Sequence, residues 1–157
     1  MSELNRREFV VVGAAAVACA CACSVAEAAD APGGPNAPAQ SKGPVDVGPK
    51  SNYAKDGVTD TWTKTQRILV IRNDGKIYAA NSTCTHKNCA VRSKDGEIVC
   101  PCHGSRFSLE GTPTKGPAKI SLYRYGISED DKGHLIVDKS KQFEEKKWDD
   151  EGAFVKV

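Results

Sequence analysis

Past Lys50 the sequence predicts an all-β domain, on three observations. Short runs of aliphatic and β-branched residues recur at intervals too brief for helices. Asn, Asp and Gly separate these runs with the spacing of tight turns. No segment in this part carries the 3.6-residue apolar period of an amphipathic helix. The expectation is about eight to ten short strands around one modest core.

The N-terminus stands apart from that domain. "MSELNRREFVVVGAAAVACACACSVAEAAD" has a polar start, Arg6-Arg7 ahead of Glu8-Phe9, and an apolar run from Val10 to Ala22. This is the layout of a twin-arginine export signal, assigned to residues 1–28. The run is Ala-rich and at or below the roughly 20 residues a spanning helix needs, which favours a removed signal over a retained anchor. Ala26-Glu27-Ala28 offers the cleavage site. Retention as a membrane anchor and lipid attachment at Cys19 are the rival fates. Because the twin-arginine route carries folded proteins, it suits a chain whose cofactor is inserted before export.

Residues 29–50 hold five of the chain's eight prolines and four glycines, and read as a flexible to semi-extended linker. The remaining domain, residues 51–157, amounts to about 105–110 residues. Its first clear strand pair is "RILVIRNDGKIYAAN", two β-branched runs around Asn73-Asp74-Gly75, a strong hairpin signal. "DGEIVCPCHG" repeats the turn-then-strand order. "FSLEG", "ISLYRYGISED" and "GHLIVD" continue with alternating polarity. Trp62, Tyr123 and Tyr125 read as core or half-buried strand positions, His134 as a strand-edge histidine, and Glu129 to Asp131 as a turn. The charged "SKQFEEKKWDDEGAFVKV" fits either a terminal strand or a tail.

Charge excludes one class of function. The formal net charge is +2 with both signs interspersed, so no basic stripe exists for nucleic acid.

Cysteine usage points to a metal. Of seven cysteines, Cys19, Cys21 and Cys23 lie in the signal, and the other four lie in two clumps, "CTHKNC" from Cys84 and "CPCHGSRF" from Cys100. Each clump sets a thiolate and an imidazole on one tight loop, as Cys84-x-His86 and Cys100-x-x-His103. A Cys2His2 zinc site is one arrangement, and it leaves Cys89 and Cys102 without a role. A [2Fe-2S] cluster with two Cys on one iron and two His on the other uses all six residues if the remaining pair bridges the loops.

The two clumps resemble the two boxes of the Rieske iron-sulfur proteins. The closer likeness is to the disulfide-bearing form of cytochrome bc-type quinol oxidases and of the arsenite oxidase small subunit. The resemblance runs from about Tyr53 to Asp138 and includes "KGPAKISL", similar to the loop the family packs beside its cluster at Gly116-Pro117-Ala118. It implies an antiparallel Rieske-type β-sandwich with a small inserted cluster-binding subdomain, about residues 81–118. It further implies one [2Fe-2S] cluster per chain, held by Cys84, His86, Cys100 and His103, and a Cys89–Cys102 disulfide. Gly104 and Pro117 fall in the loops around the cluster. Ser105 matches the serine whose hydroxyl bonds a bridging sulfide and raises the potential. Phe107 stands where high-potential members carry a tyrosine, and phenylalanine has no hydroxyl to donate.

Two departures bear on the partner. Lys87-Asn88 stand where quinol-oxidising members have Leu-Gly, and the stretch between His86 and Cys100 is short for the family. The implied function is one-electron transfer by an exported, periplasmic protein, as carrier or small subunit of a periplasmic oxidoreductase. The alternative is the Rieske subunit of a quinol-cytochrome c oxidoreductase, with cytochrome b or c as redox partner, quinol as substrate and the N-terminus as membrane anchor. Either reading makes it an electron-transfer component rather than an enzyme alone. The ring nitrogens not bound to iron are expected to titrate with the redox state.

Overall fold

The computed structural model describes residues 43–157. The Arg6-Arg7 signal, its three cysteines, the Ala26-Glu27-Ala28 site and the linker through residue 42 lie outside the described residues. The described part is nearly all β. In chain order the strands are β1 (Val45–Pro49), β2 (Gly57–Thr59), β3 (Ile68–Asn73) and β4 (Lys76–Asn81). Then come β5 (Arg92–Lys94), β6 (Glu97–Val99), β7 (Arg106–Phe107) and β8 (Pro113–Lys115). β9 (Arg124–Glu129), β10 (His134–Phe143) and β11 (Val155–Lys156) complete the set.

They form two antiparallel sheets. The larger runs β1-β10-β9-β4-β3-β2, with β11 also paired to β4, and the smaller runs β5-β6-β7-β8. The β3–β4 hairpin is the spine. Asn73 pairs with Lys76, leaving Asp74 and Gly75 as a two-residue turn with φ of 51° and 71°. Positive φ at both positions is the turn whose twist matches paired strands, and Asp-Gly is a sequence that tolerates it. The same device recurs at Asp95-Gly96, φ 52° and 78°, between β5 and β6.

The continuous apolar run of β3 follows from burial on both faces. Ile68 and Val70 join Ile77, Ala79, Tyr125, Ile127, Leu135 and Val137 in one core cluster. Leu69 and Ile71, pointing the opposite way, join Tyr78, Ala80, Val91, Ile98, Phe107 and Leu122 in a second. Cys84 and Cys100 belong to this second cluster. The small sheet is therefore held against the outer face of the β3–β4 hairpin by ordinary hydrophobic packing. Truncating a fully buried aliphatic side chain of this cluster, such as Ile98, to alanine would cost about 2–5 kcal/mol.

Three sequence expectations need correction. Eleven strands, not eight to ten, are present among the described residues. β1 lies inside the segment that composition assigns to the linker: Val45 and Val47 are buried and pair into β10, so tertiary pairing overrides local Pro and Gly content. Trp62 caps a single helical turn, α1 (Thr63–Gln66), and Tyr123 lies between elements, so neither is a strand residue. Of the two readings left open for the C-terminal stretch, the strand is the one found, with β10 running to Phe143 and β11 on β4. His134 is at the start of β10, its Nδ1 2.9 Å from Asp46 Oδ2. Among the described residues no helix is long and apolar enough to cross a membrane.

Candidate metal centre

Two hairpin loops of the same construction make the site. Thr83 bridges to Ala90 around the first, and Val99 pairs with Arg106 around the second. Inside the first, the Cys84 N–H donates to Cys89 O at 2.8 Å and the Asn88 N–H to Cys84 O at 2.9 Å. Inside the second, the Cys100 N–H donates to Ser105 O at 2.8 Å and the Gly104 N–H to Cys100 O at 3.0 Å. Closing each loop needs a left-handed residue at its fifth position, and Asn88 (φ 50°) and Gly104 (φ 74°) supply it. Asn is among the few residues with a side chain that adopt this conformation readily. This explains how Asn88 serves at a position where the family resemblance leads one to expect glycine.

Each loop opens on a buried cysteine. Cys84 and Cys100 are free thiols, each 1 % exposed. Cys89 and Cys102 form a disulfide that ties the loops together. The sulfurs of Cys89, Cys100 and Cys102 lie within 4.8 Å of one another, but two of them are consumed in the bridge, leaving Cys100 as the one free thiol of that trio. The rings of His86 and His103 stand edge to face with centroids 4.9 Å apart, His86 half-buried and His103 exposed. The loops thus bring the four sequence-predicted ligands to one end of the small sheet, thiols inside and imidazoles outside.

The donor set fits a metal that prefers sulfur and nitrogen. Burial pushes the Cys100 thiol up, and its neighbour Cys84 adds to the rise, while backbone N–H groups of Cys102 and His103 oppose it. The Nδ1 of His86 is buried with no hydrogen-bond partner. Buried polar atoms without partners are costly, and coordination would satisfy them.

A third loop completes the surroundings. Ala118 donates its N–H to Ser105 Oγ at 3.1 Å, and Thr85 donates its hydroxyl to Ile120 O at 2.6 Å. These two bonds fasten the Gly116-Pro117 stretch, joined by a cis peptide, to both cysteine loops. Ser105 is fully buried. A hydroxyl has one proton and two lone pairs, so accepting from Ala118 leaves its proton available to donate elsewhere. Phe107, also fully buried, packs in the same core cluster as Cys84 and Cys100. Nothing local in the sequence marks Thr85, whose acceptor is 35 residues away.

Comparison with known proteins agrees with this geometry. The family described as "Rieske [2Fe-2S] domain" matches residues 43–126. Iron-sulfur subunit 1 of the cytochrome b6-f complex from Nicotiana tabacum chloroplasts is 41 % identical over 58 residues, 34 % of this chain and 25 % of that protein. The cytochrome b6-f complex iron-sulfur subunit 2 of Synechocystis is 37 % identical over 70 residues, 41 % of this chain and 39 % of that protein. The matched part therefore spans well under half the length of these relatives. Among solved structures, the plasma membrane Rieske protein PetC3 from Synechocystis PCC 6803 is 34 % identical, covering 59 % of this chain and 97 % of that one with a TM-score of 0.48. With two matched cysteine loops, a bridge between them and a family match over more than half its length, the chain belongs to the Rieske [2Fe-2S] family in its disulfide-bearing form.

Proposed function

We propose that Cys84, His86, Cys100 and His103 hold a [2Fe-2S] cluster and that the protein transfers one electron at a time between partners in the periplasm. The observation that carries this is the pair of equivalent loops, which set two free thiols in the core and two imidazoles at the surface. The cluster, when bound, supplies a centre that takes up and returns a single electron. The chain's own residues do the rest. The hydrophobic cluster around Cys84 and Cys100 keeps water from the sulfur side. His103 and His86 give the exposed side a short route to a partner. Ser105, which accepts from Ala118, keeps its own proton free to donate to the bound group. The test is electron paramagnetic resonance on the purified, dithionite-reduced protein. The signal expected of a mixed Cys/His [2Fe-2S] cluster should be lost in Cys100→Ser and altered in His103→Cys.

The twin-arginine segment and the Cys89–Cys102 bridge support an exported setting, since disulfides persist outside the reducing cytosol. The leading reading is a carrier or small subunit of a periplasmic oxidoreductase. The names of the Nicotiana and Synechocystis relatives favour a second reading, the Rieske subunit of a quinol-oxidising cytochrome complex, with the N-terminus as anchor. The exposed Lys87 beside His86 weighs against an apolar quinone pocket there. Membranes containing the protein should oxidise quinol in a manner lost on His103→Ala only under the second reading.

A further inference from the structure

The end of the molecule that carries His103 has an apolar, small-residue centre and an unpaired basic margin. Pro101, His103, Gly104, Gly116 and Pro117 are all exposed there. No large side chain stands among them, so another surface can approach the histidines closely. Three lysines flank this patch in sequence: Lys87 follows His86, Lys115 precedes Gly116, and Lys119 follows Ala118. All three are exposed, and none enters an ion pair among the described residues. The bonds from Thr85 to Ile120 and from Ala118 to Ser105 hold the two cysteine loops and the Gly116-Pro117 stretch together, so the three lysines stand on neighbouring stretches of chain around the patch.

The nearby carboxylates leave these lysines uncompensated. Asp95 is at the Asp95-Gly96 turn, the far end of the β5–β6 hairpin from Cys100; Glu97 comes nearer, because its partner Arg106 pairs across the sheet with Lys115, but its 2.8 Å bond to Arg106 already neutralises it. Glu110 is on the side of the buried Arg124, whose Nη2 reaches its carbonyl at 3.1 Å. Across residues 81–122 six cations stand against three carboxylates, although the described chain is close to neutral elsewhere. An uncompensated cationic margin around a flat electron exit is an electrostatic guide for an anionic partner.

We infer that this face docks an acidic electron-transfer protein, with Lys87, Lys115 and Lys119 steering it onto the Pro101/His103/Pro117 centre. The inference rests on the electron-transfer role proposed above and names its partner class. A lipid surface is the less suited occupant, because the centre of the patch offers no large apolar side chain to insert and the margin offers only Ile120.

The experiment uses the reduced full-length protein, a lysine-rich cytochrome c, and the same cytochrome with its lysines succinylated so that its surface is acidic. Binding is measured by salt-dependent titration and electron transfer by stopped flow. The acidic cytochrome should bind and be reduced faster at low ionic strength by about tenfold or more, an advantage that shrinks with salt. The variant Lys87→Glu/Lys115→Glu/Lys119→Glu should reverse the preference while its visible spectrum is retained. Single Lys→Gln variants, each with a partial loss, serve if the triple variant does not fold. Equal rates for the two cytochromes, or a faster lysine-rich one, would overturn the inference and leave the electron-transfer reading standing. Binding of the acidic cytochrome with no electron passed would overturn that reading and leave the docking face. Binding to phosphatidylglycerol vesicles that the three lysines control, without preference between cytochromes, would assign the face to lipid and overturn the inference.

Discussion

The hydroxyl of Ser105 accepts the backbone N–H of Ala118 at 3.1 Å, with Ser105 fully buried. One atom therefore fastens the third loop and still keeps a proton of its own to donate. Ser105→Ala removes both. It should lower the reduction potential and leave the Ala118 N–H buried without a partner, costing about 1–3 kcal/mol. A redox titration and a denaturant melt on the same preparation check the two effects. A stability loss with an unchanged potential would restrict Ser105 to fastening the loop.

Phe107 is the complementary case. It is fully buried in the same cluster as Cys84 and Cys100, and its ring has no polar atom. The potential should therefore sit below the upper end of the Rieske range, about +300 mV. Phe107→Tyr is expected to raise it if the added hydroxyl finds a sulfur acceptor. If no acceptor is in reach, the buried hydroxyl costs about 1–3 kcal/mol and the potential does not rise. Measured together, potential and stability separate these outcomes.

The fifth positions of the two loops predict an asymmetric pair of responses. Gly104 has φ 74°, and a Cβ added there would meet nothing within 4 Å, so Gly104→Ala is opposed by backbone conformation and not by a clash. The cost should be about 1–2 kcal/mol. Asn88→Gly should be neutral within a few tenths of a kcal/mol, whereas Asn88→Val should cost more than Gly104→Ala, because β-branching is least compatible with positive φ. Chemical denaturation of the three variants gives the ranking.

These residues also show what the sequence could reveal. The cysteine loops and the Asp74-Gly75 turn were legible because their chemistry is local: a ligand pair or a left-handed pair occupies a few consecutive residues. β1 was not, since Pro44, Gly48 and Pro49 set its composition while its pairing partners in β10 are some ninety positions away. The far half of β10 was hidden similarly by Lys139, Ser140 and Lys141, where the register shifts between Asp138 and Gln142. Arg124 gave no signal at all. It is only 5 % exposed, its guanidinium 3.7 Å from the Tyr78 ring and 4.1 Å from the Trp148 ring, a sandwich assembled from three distant segments.

That sandwich yields a prediction for the C-terminal stretch. Burial pushes the Tyr78 hydroxyl up to about 12 and holds the Arg124 guanidinium below its usual value, so the cation depends on its aromatic and carbonyl contacts. Trp148→Ala should remove one face of the sandwich and cost about 3 kcal/mol. Backbone amides of β11, which lies a few residues beyond Trp148 on β4, should lose hydrogen-exchange protection before those of β3. Simultaneous loss in both strands would show that the stretch unfolds only with the whole domain.

The last prediction concerns acid. Asp46, in β1, lies 2.9 Å from His134 Nδ1 in β10 and also accepts the Gly48 N–H at 2.7 Å. The hydrogen bond from His134, followed by that from Gly48, holds the Asp46 carboxyl below the usual carboxylate range. A carboxyl depressed in the folded state contributes stability above its unfolded pKa, and that contribution is lost as pH falls through the folded value. Wild type should therefore be more stable than Asp46→Asn near neutral pH, and the gap should close on acidification below about pH 4. Because the pair is exposed, the gap is expected to be small and to shrink with salt. Urea melts of both proteins across that interval measure it. A gap that persists unchanged at about pH 2, below the ordinary carboxylate range, would mean that Asp46 acts through turn geometry at Gly48 rather than through its charge.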